Sequence, residues 1–319
     1  MPIDLDLMRG IRLSAVPKFQ IFVGHTFLRV VFNLPKKTEI VIEGLENIPA
    51  EPVFYAMNHT DKYNYWPFQY ALWKKLARYT ATWVKGKYFE SKLLSLFLVA
   101  TNNIPLPSRG YVISTEFRRA AKRPPDAAEY RVLRDLADGV RADAAGASDA
   151  VKRFLDDGGL ARFEESFRQM MKAVVNITGD ALNRLKLDVI IFPQGTRSIR
   201  LSKGHTGLAQ VSQSLATTIV PIGCSGSDKL YPGGSPWPKG GRVVYRIGTP
   251  LPVDGPDLAP FRVREPFEPL VPEANKAHGA KFRAITDIVM TRINALVDPP
   301  YQYAEDADSD GVKEMERFL

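Results

Sequence analysis

A histidine at the end of an apolar run is the first residue in this sequence that could perform chemistry. His59 follows residues 53–56, whose composition predicts a buried strand. In α/β sheets, the C-terminal ends of strands carry the ligand-binding groups. An imidazole can take a proton from a hydroxyl group, and a nearby polar side chain, here Asn64 or Asp61, can fix its tautomer. Taken alone, such a histidine is more often a hydrogen-bonded structural residue.

The second segment that could perform chemistry is residues 191–198, which read IFPQGTRS. An apolar strand, residues 188–192, runs directly into a turn that presents Thr196 and Arg197. The planar fork of a guanidinium matches the oxygens of a phosphate group, and a threonine hydroxyl and backbone amides can join it. The same pattern would also suit a tight turn that carries a surface arginine.

The composition of the chain narrows the classes of partner. It has 319 residues, a formal net charge of +8 and one cysteine, Cys224, which we interpret as a small buried hydrophobic residue in a protein of a reducing compartment. The basic excess predicts an anionic partner, such as nucleic acid, an anionic membrane or a phosphorylated substrate. No nucleic-acid-binding signature and no cysteine–histidine cluster are present, so neither nucleic acid nor zinc is expected.

Strand and helix patterns alternate along most of the chain. We predict strands at residues 39–43, 53–56, 80–84, 188–192, 218–222 and 242–247, and helices at residues 65–76, 91–99, 205–215 and 276–296. This alternation indicates an α/β domain with a largely parallel mixed sheet. Helical periods dominate residues 111–187, which we interpret as a helical insertion that could serve as a lid or as a membrane-facing element.

An amphipathic helix is predicted near the N-terminus, at residues 17–34. It is too short and too polar to span a bilayer. Its apolar face, flanked by lysines and arginines, fits a helix that lies in a membrane interface, and fits equally well a helix packed on the core. We therefore divide the chain into an N-terminal membrane-interface segment, residues 1–37, a main domain, residues 38–301, and an acidic tail, residues 302–319.

Taken together, the motifs resemble those of the lysophosphatidic acid acyltransferase family (1-acylglycerol-3-phosphate acyltransferases) and its glycerol-3-phosphate acyltransferase relatives. The matching blocks, in the order of the family, are Asn58-His59 followed by Asn64, the lysine-containing stretch KGKY at residues 85–88, NIPLPSR at residues 103–109, FPQGTRS at residues 192–198, and IVPI at residues 219–222. The likeness covers roughly residues 20–110 and 186–250. It implies the family's α/β acyltransferase fold.

The resemblance also implies a reaction and a location. His59 would deprotonate a hydroxyl of a (lyso)glycerolipid acceptor, which then attacks the thioester of acyl-CoA or an acyl-carrier protein. The acceptor's phosphate would be held by Arg197, Arg109 and Lys85, together with Thr196, Gly195 and Gln194. No metal or other cofactor is expected. The protein would work as a peripheral or monotopic protein on the cytoplasmic face of a membrane.

Two residues depart from the family's motifs, because the family's aspartate is Asn64 here and its glutamate is Gln194. Asn64 has the family's spacing from the histidine, whereas Asp61 carries the charge that Asn64 lacks, so we favour Asn64 as the geometric partner and keep Asp61 as a compensating charge. In a serine-protease triad the same acid-to-amide swap lowers turnover by about 10⁴. The alternatives are a catalytically impaired homologue that binds acyl chains or phospholipids, and a membrane-associated scaffold.

Overall fold

The structure, a computed structural model, describes residues 3–34 and 36–304 and divides into two units. Among the described residues, the first unit contains 3–12, 84–99 and 103–177, and the second contains the remainder. The two segments that could perform chemistry, around His59 and Arg197, both belong to the second unit. The predicted acidic tail lies outside the described residues from position 305 onwards.

A mixed, largely parallel sheet organises the second unit. Along the described chain the strands are β1 (Thr38–Glu43), β2 (Phe54–Met57), β3 (Thr80–Lys85), β4 (Asn103–Leu106), β5 (Asp188–Ile191), β6 (Ile219–Ser225) and β7 (Gly241–Ile247). Across the second unit they lie in the order β1-β7-β6-β2-β5-β3, in which β6 and β7 are antiparallel and the other neighbours are parallel. The predicted α/β fold class is confirmed. The sequence reasoning missed β4, which belongs to the first unit and contains a proline, a residue that is rare inside strands.

The central strands explain where the site lies. Every residue of β2, β5 and β6 is buried, as expected for parallel strands that are covered on both faces. Strand β2 pairs with β5 on one side and with β6 on the other. Because parallel strands end at the same edge of a sheet, the loops that follow β2 and β5 leave the sheet side by side.

Helices connect these strands and also form most of the first unit. In chain order they are α1 (Leu5–Gly10), α2 (Lys18–Val23), α3 (Arg29–Val31), α4 (Trp66–Leu76), α5 (Lys92–Ala100), α6 (Arg109–Ala121), α7 (Ala127–Ala137), α8 (Asp149–Asp156), α9 (Gly159–Asn183), α10 (Gly207–Ser214), α11 (Ser227–Leu230) and α12 (Pro272–Leu296). The helical character predicted for residues 111–187 is confirmed by α6 to α9. The first unit also contains residues 3–12 and 84–99.

The N-terminal helix, residues 18–31, is made of α2, a π-helical turn (Gly24–Leu28) and α3. One side packs into the core through Leu28 and Val31, and a Cβ atom on Gly24 would stand 3.0 Å from the ring of Trp73, so the helix lies close against α4. A second side, with Phe22 at 60% exposure, faces solvent. The interpretation as a helix packed on the core is therefore confirmed for one side, and the membrane-interface interpretation stays a prediction for the other. No helix in the described part of the chain is long and apolar enough to cross a membrane.

A buried ion pair lies where β5 begins, at the edge of the sheet opposite to the loops that follow β2 and β5. Asp188, the first residue of β5, accepts hydrogen bonds from the Val53 N–H at 3.0 Å and from the Arg78 Nε at 2.8 Å. A second guanidinium nitrogen of Arg78 also contacts its carboxylate. The Asp188 side chain is 1% exposed, so its charge depends on the arginine.

We expect Arg78→Met to lower the free energy of unfolding by about 3 kcal/mol, because it leaves the Asp188 carboxylate buried without its cation. Urea unfolding would measure the loss. The matched control is Arg184→Ala, which breaks the exposed pair with Asp180 and should change stability little. Equal losses in the two variants would show that Asp188 does not depend on Arg78.

Candidate active site

The peptide groups of His59 are held from both directions by the loop that follows β5, residues 192–198. The His59 N–H donates to Gln194 Oε1 at 2.9 Å, and the His59 carbonyl oxygen accepts from the Ser198 N–H at 2.8 Å. The two residues belong to loops that leave neighbouring parallel strands at one edge of the sheet. The backbone position of the histidine is therefore set by a segment 135 residues further along the chain.

Gln194 fills a structural position in this arrangement. It is 2% exposed, and its Nε2 donates to the hydroxyl oxygens of Ser198 at 2.9 Å and Ser202 at 3.3 Å. A buried amide needs partners for its oxygen and its nitrogen, and here both have them. The structure thus corrects the expectation that Gln194 faces a phosphate group, because burial and hydrogen bonding direct it towards the His59 backbone.

The imidazole of His59 is oriented by Asn64, whose Oδ1 lies 3.2 Å from His59 Nδ1. The Asn64 Nδ2 donates to the Asn58 carbonyl oxygen at 2.7 Å, and since that oxygen can only accept, the amide orientation is determined. Asn64 Oδ1 therefore accepts from His59 Nδ1–H, which leaves the lone pair on Nε2. The His59 ring also stacks on Phe192, with centroids 4.1 Å apart.

Asp61 has different partners. Its carboxylate accepts from the Tyr63 N–H at 2.8 Å and from the Thr60 hydroxyl at 2.9 Å, which closes a local turn between His59 and α4. Burial raises the pKa of the Asp61 carboxyl above its usual range. The structure places Asn64, and not Asp61, at hydrogen-bonding distance from the imidazole.

Two further residues support this geometry, and the sequence reasoning assigned a role to neither. The Asn58 amide donates to the Cys224 carbonyl oxygen at 2.9 Å and accepts from the Cys224 N–H at 2.7 Å, so its side chain continues the pairing of β2 with β6. The Tyr245 hydroxyl donates to the Asn64 carbonyl oxygen at 2.6 Å. The position of Asn58 directly after the predicted strand was a signal from which its contact with Cys224 could have been predicted. Cys224 is buried, as expected, and burial raises the pKa of its thiol.

The loop that carries Arg197 turns at Gly195, where φ is +64°, a conformation that favours glycine. A Cβ atom on Gly195 would stand 2.8 Å from the Cδ2 of His205, so that imidazole packs against the turn. The His205 N–H donates to the Pro193 carbonyl oxygen at 2.7 Å, and α10 begins only at Gly207, two residues later than predicted. Thr196 is exposed and Arg197 is half-buried, so both are accessible to a ligand.

The other two expected phosphate ligands, Lys85 and Arg109, belong to the first unit. Lys85 ends β3 and is exposed. The Arg109 guanidinium bonds to both carboxylate oxygens of Glu164, at 2.7 and 3.2 Å, and its Nε bonds to Asp138 at 3.3 Å. It also lies over the ring of Phe163. A phosphate on Arg109 would have to compete with these carboxylates. Within the described residues, no group of three or more histidine, cysteine and acidic side chains could hold a metal ion.

Comparisons with known proteins bear on these residues. A family model described as Acyltransferase matches residues 39–225, which include the His59 segment and the 192–198 loop. A search of curated proteins finds no match. Among solved structures, the chain is similar to the 1-acyl-sn-glycerophosphate (LPA) acyltransferase PlsC from Thermotoga maritima. That match has a TM-score of 0.43 and 15% sequence identity, and it covers 87% of this chain and 80% of that chain.

We expect Gln194→Leu to lower the free energy of unfolding by about 2 kcal/mol, since the part-buried His59 N–H and two buried serine hydroxyls lose a partner. Gln194→Glu should be better tolerated, because a carboxylate can still accept from the His59 N–H and can accept from the two serine hydroxyls once these rotate to donate. Urea unfolding of both variants is the measurement. Gln169→Leu, which removes an exposed amide, is the control. Wild-type stability in Gln194→Leu would contradict the assigned role.

Proposed function

Because the chain belongs to the acyltransferase family, whose model matches more than half of its length, we propose that it transfers a fatty acyl group to a hydroxyl of a phosphate-bearing lysoglycerolipid at a membrane surface. The acyltransferase assignment expected from the sequence blocks is confirmed by the family model. The glycerolipid acceptor and the transfer to a hydroxyl oxygen belong to the proposal. The proposed donor is the thioester of acyl-CoA or an acyl-carrier protein.

The proposed mechanism starts at His59 Nε2. With Nδ1–H bonded to Asn64, Nε2 carries the lone pair and accepts the proton of the acceptor hydroxyl while its oxygen attacks the thioester carbon. The tetrahedral intermediate then collapses, the C–S bond breaks, and the imidazolium returns its proton to the departing sulfur. The proton and the acyl group are thus both transferred without any other reagent. The orientation of the Asn64 amide is the observation that carries this proposal.

Asn64 supports an active enzyme rather than an impaired homologue. Its amide keeps the imidazole in the tautomer that a base requires, although it offers no negative charge to the imidazolium. The His59 backbone is held at both its N–H and its carbonyl oxygen before any substrate arrives. Such preorganisation is what a positioned catalytic group needs. We expect the missing charge to lower the basicity of His59 without removing its function.

For the acceptor's phosphate we propose Arg197, together with Thr196 and the Gly195 turn. The guanidinium belongs to the same short loop that holds the His59 backbone, so phosphate and hydroxyl can be presented together. Lys85, exposed at the end of β3 in the first unit, stays a prediction of the sequence blocks. Arg109, also in the first unit, likewise stays a prediction of the sequence blocks, and Glu164 and Asp138 engage its guanidinium.

The proposed location is the cytoplasmic face of a membrane, with the N-terminal helix in the interface. Support comes from solvent-facing apolar side chains, which are Phe19, Phe22 and Val30 in the helix and Leu34 shortly after it. Exposed Lys18 and Arg29 are suited to anionic head groups. The buried side of the same helix would keep it attached to the enzyme.

The function is tested by mixing the protein with a fatty acyl thioester and lysophosphatidic acid in vesicles, and measuring thiol release and diacyl product. Wild type should form product, and monoacylglycerol, which lacks the phosphate, should be a poorer acceptor. His59→Ala should lose at least about 10²-fold in rate, the usual contribution of a general base.

The control is His278→Ala, which removes an imidazole that packs edge-to-face against Phe267 and should leave the rate unchanged. Product formation by His59→Ala at the wild-type rate would remove the histidine from the mechanism. Tight lipid binding with no turnover in wild type would favour the impaired homologue.

A further inference from the structure

Helix α5 exposes large apolar side chains to an unusual degree. Seven of its nine residues are apolar, in the sequence KLLSLFLVA. Leu93 is 83% exposed and Leu96 is 69% exposed, and at a spacing of three residues they share one side of the helix, with Leu94 beside them. Leu98, by contrast, is buried. Such a contiguous patch marks a surface that something else covers.

The charges in the chain segment that leads into this patch are mostly positive. Lys85, Lys87 and Lys92 are exposed in the segment that leads into α5, and Glu90 is the acidic residue among them. Lys92 is the first residue of the helix, and the first turn contains no acidic side chain. A cation there opposes the helix dipole, which favours anions at the N-terminus. Lys92 is thus unfavourable for the stability of α5, and it places a positive charge directly before the exposed leucines.

We propose that α5 is a second lipid-contact element, which inserts Leu93, Leu94 and Leu96 into the interface of an anionic bilayer while the lysines bind its head groups. Exposed leucines beside exposed lysines match the layered chemistry of that interface. A second copy of this chain is a poorer occupant. A two-fold contact would place the patch on itself and bring the lysines of both copies together. The proposal concerns membrane contact and stands independently of the reaction.

The test uses the full chain with an environment-sensitive fluorophore on Leu96→Cys. Labelling is specific because the native Cys224 is buried. With phosphatidylcholine vesicles that contain about 30 mol% phosphatidylglycerol, we expect a blue shift of the emission on the order of 20 nm, as an apolar interface side chain would show. The control is Val140→Cys in the same unit, which is 78% exposed and should show no shift.

A second variant, Leu93→Ser with Leu96→Ser, should keep the fold because both positions are exposed, and should reduce the vesicle partition coefficient about tenfold. No shift at position 96 while the protein pellets with vesicles would overturn the proposal. A shift without vesicles in a dimeric protein would overturn it in favour of a second copy. A shift caused by an acyl thioester alone would assign the patch to the donor chain instead.

Discussion

The hydrogen bonds between the His59 peptide and the loop at residues 192–198 are the constraint on which the site depends. They exist because β2 and β5 are parallel neighbours, so that their following loops leave one edge together. Once the backbone of His59 is held, Asn64, five residues away and just before α4, can reach its Nδ1. Phe192, from the same loop, supports the ring face. Tautomer, ring plane and backbone position thus follow from one strand pairing.

The two amides that replace acids in the family's motifs have different physical meanings. The Gln194 amide accepts from a peptide N–H through its oxygen and donates to two hydroxyl oxygens through its nitrogen, so it satisfies all three partners without the cost of burying a charge. Asn64 contacts the imidazole itself, so there the lost charge affects the chemistry. The first exchange is expected to be nearly neutral for function, and the second to lower the basicity of His59 while its geometry is kept.

The sequence predicted what depends on local spacing and on periodicity. The apolar runs predicted the sheet, and the five-residue spacing predicted Asn64 beside His59. The sequence did not predict contacts between segments that are far apart along the chain. Gln194 reaches the His59 backbone, and Arg109 meets Glu164, only through the tertiary fold. The N-terminal helix has one apolar side that packs on α4 at Gly24 and another apolar side that is exposed. A one-dimensional pattern cannot separate the side that packs from the side that remains exposed.

The orienting role of Asn64 towards a basic His59 can be tested by the pH dependence of kcat/KM for acyl transfer in wild type and in Asn64→Asp. The profile reports the pKa of the base in the free enzyme. A carboxylate in place of the amide would favour the imidazolium, so the acidic limb of the profile should move to higher pH by about one unit. Superimposable limbs in the two proteins would contradict the contact between this side chain and the catalytic base.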